Sequence, residues 1–160
     1  MADENNPAAA EQAAQGPQFG VQKTFVKDIS FETPMGVKVF TQQFQPEVKL
    51  DVNTSGNLVA ENIHEVVLTI TITAKAEEET AYVVEIQQAA IFSISGFPDE
   101  QMSHLLGAVC PNFLFPYARE AVDSLVVRGG FPPLSLAPID FDALFRNSQA
   151  ASAEGQQLNS

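Results

Sequence analysis

The chain has no tryptophan, one cysteine, two histidines and only 8 lysines and arginines in 160 residues, and each scarcity closes off a class of function. A single cysteine cannot form an intrachain disulfide, which agrees with a reducing compartment. Even with both histidines it falls short of any metal-ligand spacing, so no metal or other cofactor is expected. The 8 bases face 20 acids, a formal net charge of −12. A phosphate backbone would be repelled, so nucleic acid is disfavoured as a partner and basic surfaces are favoured. No glycine-rich phosphate loop is present, which argues against nucleotide use. No apolar run approaches the length of a membrane span. Met1–Gln18 holds no lysine or arginine and no apolar run beyond three alanines, unlike a secretory signal. The expectation is one cytoplasmic domain that does not insert into a membrane and buries a modest core.

The reactive side chains that remain do not assemble a reaction. Cys110 could pair with His64 or His104 as nucleophile and base, but no activating signature surrounds any of them, and a free cysteine is usually a small core residue. Asp140 and Asp142 sit where a helix begins, so capping and dipole compensation explain them better than paired acid–base carboxylates. Glu77-Glu78-Glu79-Thr80 reads as a solvated turn. The chain is not expected to be an enzyme.

What is present is a central helix. After Cys110-Pro111, Asn112 can cap a first turn, and Pro116 then falls early, where its missing donor costs least. Leu114, Ala118, Ala121, Val122 and Leu125 recur at three- and four-residue steps, and Gly129 is expected to end the run in a left-handed conformation. The alanines leave that face shallow, so another backbone can approach it. Met102, Leu105, Leu106 and Val109 keep helical spacing through Asp99–Cys110, suggesting an extra turn or two beforehand. Asp140 is placed to cap a short last helix carrying Phe141, Leu144 and Phe145, with Ile139 set to staple onto Leu144.

Four strands precede these helices. Phe19, Val21 and Phe25 alternate with polar residues over Gln18–Lys27; Val48, Leu50 and Val52 alternate up to a turn-rich Asn53-Thr54-Ser55-Gly56-Asn57. Ile63–Thr73 sets Leu68, Ile70 and Ile72 against Thr69, Thr71 and Thr73. In the fourth strand Tyr82, Val84, Ile86 and Gln88 share one face, and Val83, Glu85 and Gln87 the other. Strands two to four form a meander, whereas strand one joins by the long Asp28–Gln45 segment, so the order is 2-3-4-1. The fold class is α+β: a four-stranded antiparallel Greek-key sheet with helices packed on one face. Residues 1–17 are expected to be a disordered tail, 18–146 the domain and 147–160 a flexible tail.

Two connectors are more apolar than connectors should be: Asp28–Gln45, with Phe31, Phe40 and Phe44, and Gly129–Ala137, with Phe131, Leu134 and Leu136. Their side chains either cover the core or form a partly exposed adhesive surface.

The stretches CPNFLFPYARE and RGGFPPLSLAPIDFDALF, with KDISFETP, FQPEVKLDV, His64-Glu65-Val66-Val67-Leu68 and EIQQAAIFSISG upstream, resemble the SecB family of protein-export chaperones in order and spacing over most of the chain. The resemblance implies a homotetramer, a dimer of dimers with helices between two outer sheets; the first strand, with its open edge, is expected to pair across the dimer and extend the sheet. It implies apolar grooves bordered by the two connectors, with Phe31, Phe40, Phe44, Phe131, Leu134 and Leu136 contributing. It also implies ATP-independent capture of unfolded precursor proteins and their delivery to the SecA ATPase through Asp28, Glu32, Val83 and Glu85. Val84, Ile86 and Gln88 match positions that influence how dimers meet, so Ile86→Asp is expected to split tetramer into dimers. The alternative is an acidic oligomeric adaptor that binds a folded partner through its sheet face.

Overall fold

The structure, a computed structural model, describes residues 16–158, so most of the expected N-terminal tail lies outside the described residues. Four long strands, β1 (Gln18–Glu32), β2 (Glu47–Ala60), β3 (Ile63–Ala76) and β4 (Glu79–Ser95), form one antiparallel sheet in the order β1-β4-β3-β2. This is the expected Greek-key order. The central pair β3 and β4 is the most apolar, and their even-numbered residues from Val66 to Ala76 and from Tyr82 to Ile94 are buried on the helix side. Odd-numbered residues such as Thr69, Thr71, Val83 and Glu85 line the opposite, open face.

Three expected boundaries move. The turn-like Asn53–Asn57 stretch is part of β2, paired to Thr69, Leu68, Val67, Val66 and Glu65. Its polar residues are accommodated because an edge strand leaves one face in water, and pairing to a long central strand overrides local turn preference. The chain turns instead at Glu61-Asn62, where Asn62 takes a positive φ of 60°. β1 continues five residues past its expected end, pairing Asp28–Glu32 with β4. Register shifts between Val21 and Lys23 and between Val26 and Asp28 flip its faces. Phe19 and Val21 therefore face the helices, while Phe25, expected beside them, lies opposite Ala89 on the open face.

The helix layer is longer than its sequence signals. A short helix α1 (Asp99–His104), a π-helical turn (Leu105–Val109) and α2 (Cys110–Arg128) run without a break. Asn112 is therefore interior rather than a cap, and Asp99 and Glu100 supply the negative charge at the true start. Pro111 explains the π turn: it has no N–H for the Gly107 carbonyl, and Cys110 N–H reaches back five residues to Leu105. Pro116 is likewise interior, with Asn112 and Pro116 both exposed so that water can serve the freed carbonyl. Leu114, Ala118 and Val122 form the buried stripe as expected, extended by Cys110, Phe115 and Val126.

Asp140 caps α3 (Phe141–Gln157) as expected, its Oδ1 accepting the Ala143 N–H at 2.9 Å. That helix does not stop near Arg146: the segment expected as a tail from Asn147 stays helical to Gln157, with exposed side chains.

Val84, Ile86 and Gln88 point into this core. The first two are fully buried under the helices, and Gln88 Nε2 donates to the Phe25 carbonyl at 3.1 Å. None presents a side chain on the protomer surface. An aspartate at 86 would be an unpaired buried charge, so Ile86→Asp should destabilise the protomer itself by roughly 4 kcal/mol or more, rather than yield folded dimers. Thermal melting should show a large loss of Tm; an unchanged Tm with a halved particle mass would contradict this placement.

Candidate functional site

The two apolar connectors meet, and the element that joins them is the end of α2. Gly129 keeps a helical φ of −71°, and Gly130, not Gly129, is left-handed at φ 91°. Gly130 N–H donates to the Val127 carbonyl at 3.0 Å and Phe131 N–H to the Val126 carbonyl at 3.1 Å, a complete Schellman closure. The closure turns Phe131 back onto the core, where it is 5% exposed.

Around Phe131 stand four rings: Tyr82 at 4.7 Å, Phe40 and Phe44 at 5.2 Å each, and Phe31 at 6.4 Å. Phe31 also stacks on Tyr82 at 5.7 Å. Gly129 and Gly130 make room for this cluster. A Cβ at 129 would fall on the Phe31 ring, and one at 130 would come within 3.1 Å of the Phe40 ring. The sequence-derived role of Gly129 as a left-handed stop is thus replaced by a steric one. Leu134 and Leu136 are half-buried against the same core.

The first connector reaches the cluster through a 3-10 turn, Gly36–Thr41, whose Val39 is buried while Val37 and Phe40 remain exposed. A Lys38–Glu79 ion pair of 2.7 Å ties the turn to the start of β4, although both groups are solvated and such pairs contribute little. The connectors are therefore split: Phe131 and Val39 fill the core, while Phe40 and Val37 remain exposed.

The acidic residues expected to act together lie on the opposite face. The register sets Glu32 across from Val83, Ser30 across from Glu85 and Asp28 across from Gln87, so Asp28, Glu32, Val83 and Glu85 share the open side of the β1–β4 pair. Thr71 Oγ1 donates to Glu85 Oε2 at 3.0 Å and steadies that carboxylate.

Sequence reasoning missed three features. The alternation places Tyr82 on one face with Val84, Ile86 and Gln88 but does not show that it floors the ring cluster. Burial, and secondarily the Asp123 carboxylate, pushes its phenol above the ordinary value. A cavity of about 480 Å³ opens between β2, the α1–π segment and α3, lined on its apolar side by Val52, Leu106, Phe141, Leu144 and Phe145. Its signal was the Phe141, Leu144 and Phe145 stripe of α3, whose seat against β2 is a nonlocal contact that no local pattern announces. A row of rings, Phe19, Phe92, Phe113 and Tyr117, crosses from β1 to α2 at 5.6 to 5.9 Å spacing. Cys110 is buried and its thiol is pushed up to about 12 by desolvation, which leaves it protonated and unreactive at neutral pH. His104 is not its partner; His104 Nε2 pairs with Asp142 Oδ1 at 2.6 Å across α1 and α3. Among the described residues, no group of three or more His, Cys, Asp or Glu side chains is arranged to hold a metal ion, and no helix is long and apolar enough to cross a membrane.

The family model described as SecB, preprotein translocase subunit SecB, matches residues 12–152. The chain is similar to protein-export protein SecB of Cellvibrio japonicus, 46% identical over 99% of this chain and 100% of that one. It is 54% identical to protein-export protein SecB of Pseudomonas fluorescens, over 91% of this chain and 90% of the relative. Among solved structures, a SecB-like chaperone of Mycobacterium tuberculosis in complex with a ChAD peptide from an antitoxin matches the fold with a TM-score of 0.61. The match covers 84% of this chain and 97% of that one at 15% identity.

Gly129 is where the ring cluster can be tested without removing a ring. Gly129→Ala should force Phe31 aside and cost about 1–3 kcal/mol by overpacking, even though alanine is the better helix former. Chemical denaturation should show the loss; a stabilised variant would mean that Phe31 does not occupy that seat.

Proposed function

This chain belongs to the SecB family and is a protein-export chaperone, and from that premise we propose that it holds unfolded precursor segments against the apolar surface where its two connectors meet. The observation that carries the reading is the ring cluster around Phe131, closed beneath by Tyr82 and open at Phe40. Phe31, Phe44, Leu134 and Leu136 border that surface. An extended client segment that buries about 500 Å² of apolar area gains on the order of 12 kcal/mol gross. Ordering about ten residues costs about 1 kcal/mol each, leaving a surplus of about 2 kcal/mol per contact region. Several weak regions per client are needed, and a folded protein offers none. Because binding draws on the unfolded state, mass action alone holds the client, with no nucleotide and no cofactor.

The protomer works as a cytoplasmic homotetramer, a dimer of dimers. Support comes from the sheet edge at β1 and from apolar side chains left open beside it: Phe19, Val21, Val26 and Ile29 are each about 40–50% exposed on the helix side. Val84, Ile86 and Gln88 affect assembly indirectly, by fixing where α2 lies. Client-loaded tetramer is delivered to SecA through Asp28, Glu32, Val83 and Glu85. Support for this site is their common face and the net charge of −12 per chain, which speeds encounter with a basic surface and is screened as salt rises.

Two outcomes follow. Tetramer mixed with a slow-folding protein released from denaturant should arrest refolding without nucleotide; binding to the native but not the denatured form of that protein would favour an adaptor for folded partners instead. Asp28→Lys combined with Glu85→Lys should lower SecA affinity by at least about tenfold, the scale for reversing two interface charges, while leaving tetramer mass and refolding arrest unchanged. Calorimetry that finds wild-type affinity would refute the docking face.

A further inference from the structure

One carboxylate in the helix layer has no part in the assignments above. Asp123 lies on α2, partly buried, on the stretch of helix that faces the second connector. Its Oδ1 accepts two successive backbone N–H groups, Leu134 at 3.0 Å and Ser135 at 3.1 Å. Pro132 and Pro133 carry no N–H, so these are the first two backbone donors after Phe131. Ser135 itself holds a left-handed φ of 50°, a conformation that residues with a Cβ rarely adopt. Convergence of consecutive N–H groups on one anionic oxygen is how a backbone binds an anion, and here the anion belongs to the same chain.

From this geometry we infer that Asp123 is a positioning residue for client binding: it holds the Leu134–Leu136 segment in the bent course that keeps the apolar border of the connector surface in place. The inference rests on the proposed client-binding surface. The carboxylate acts on both sides of that surface. It fixes the backbone that carries Leu134 and Leu136, and its charge reaches Tyr82, the ring beneath Phe131. A connector with two prolines before the clamp and a third, Pro138, after it has few other ways to fix its course. Freed of Asp123, Ser135 has no compensation for its left-handed backbone and would relax toward an extended one, taking both leucines with it.

The test uses the full-length assembled protein and reduced, carboxymethylated lactalbumin as a permanently unfolded probe. Asp123→Ala should speed release of the probe roughly fivefold or more, the factor expected for losing about 1 kcal/mol of charge-assisted hydrogen bonding. Asp123→Asn retains an acceptor oxygen and should restore release to near the wild-type rate. Hydrogen exchange at the Leu134 and Ser135 amides should rise in the alanine variant, while exchange in β3 and β4 and the particle mass stay as in wild type. Unchanged probe release in Asp123→Ala, with those two amides newly exposed, would overturn the positioning role, since the clamp would then be structural only. Slower release would overturn it equally, because the connector would need to open. A wild-type protein that fails to retain the probe would instead overturn the client-binding reading and this inference with it.

Discussion

The closing turn of α2 is the constraint on which the rest of the candidate site depends. Because Gly129 stays helical and Gly130 is left-handed, the Phe131 N–H returns to Val126 and the ring lands on Tyr82 rather than running out with the connector. A Cβ at 129 would collide with the Phe31 ring and one at 130 would crowd that of Phe40, so the two glycines give the first connector its seat. A helix cap, worth little by itself, thus decides where the apolar side chains of two distant segments converge.

Beneath that arrangement lies a shortage of cover. One continuous helical layer crosses the middle of a wide sheet, fully burying the inner face of β3 and β4 but leaving apolar residues at both flanks, Val26 and Ile29 on β1 and Val48 and Leu50 on β2. Such flanks call for further protein, either copies of the chain or unfolded clients. The outer face is different in kind. Its threonines, Glu85 and the acidic residues of β1 need no cover and present charge to water. The two faces thus differ in chemistry, apolar at the flanks of the helix side and acidic on the open side.

Much of this was legible in the sequence, for identifiable reasons. The alternation of Leu68, Ile70 and Ile72 against threonines gave the central strand its face, and the short links among strands two to four gave the sheet order. Asp140 declared the start of α3 because side-chain capping is a local interaction. Nonlocal pairing hid the rest. Asn53–Asn57 has turn composition but is held extended by β3, and the register shift after Val21 that turns Phe25 outward leaves no local trace. Pro111 and Pro116 argued for a late helix start, yet the π turn at Leu105–Val109 carries the helix past them. At the site, the composition of the two connectors announced apolar surface but could not say which rings would be buried. That choice rests on the handedness of Gly130 and on the clamp from Asp123, neither of which the composition of the connectors records.

The central claim is that unfolded polypeptide contacts the ring cluster between the connectors and not the open sheet face. Site-specific photocross-linking from position 40, at the exposed rim of the cluster, and from position 49, on the outer face of β2, tests it directly in the full-length protein. Cross-links to an unfolded client from position 40, with few or none from position 49, are the predicted result. Equal yields from both, or cross-links from position 49 alone, would contradict the account.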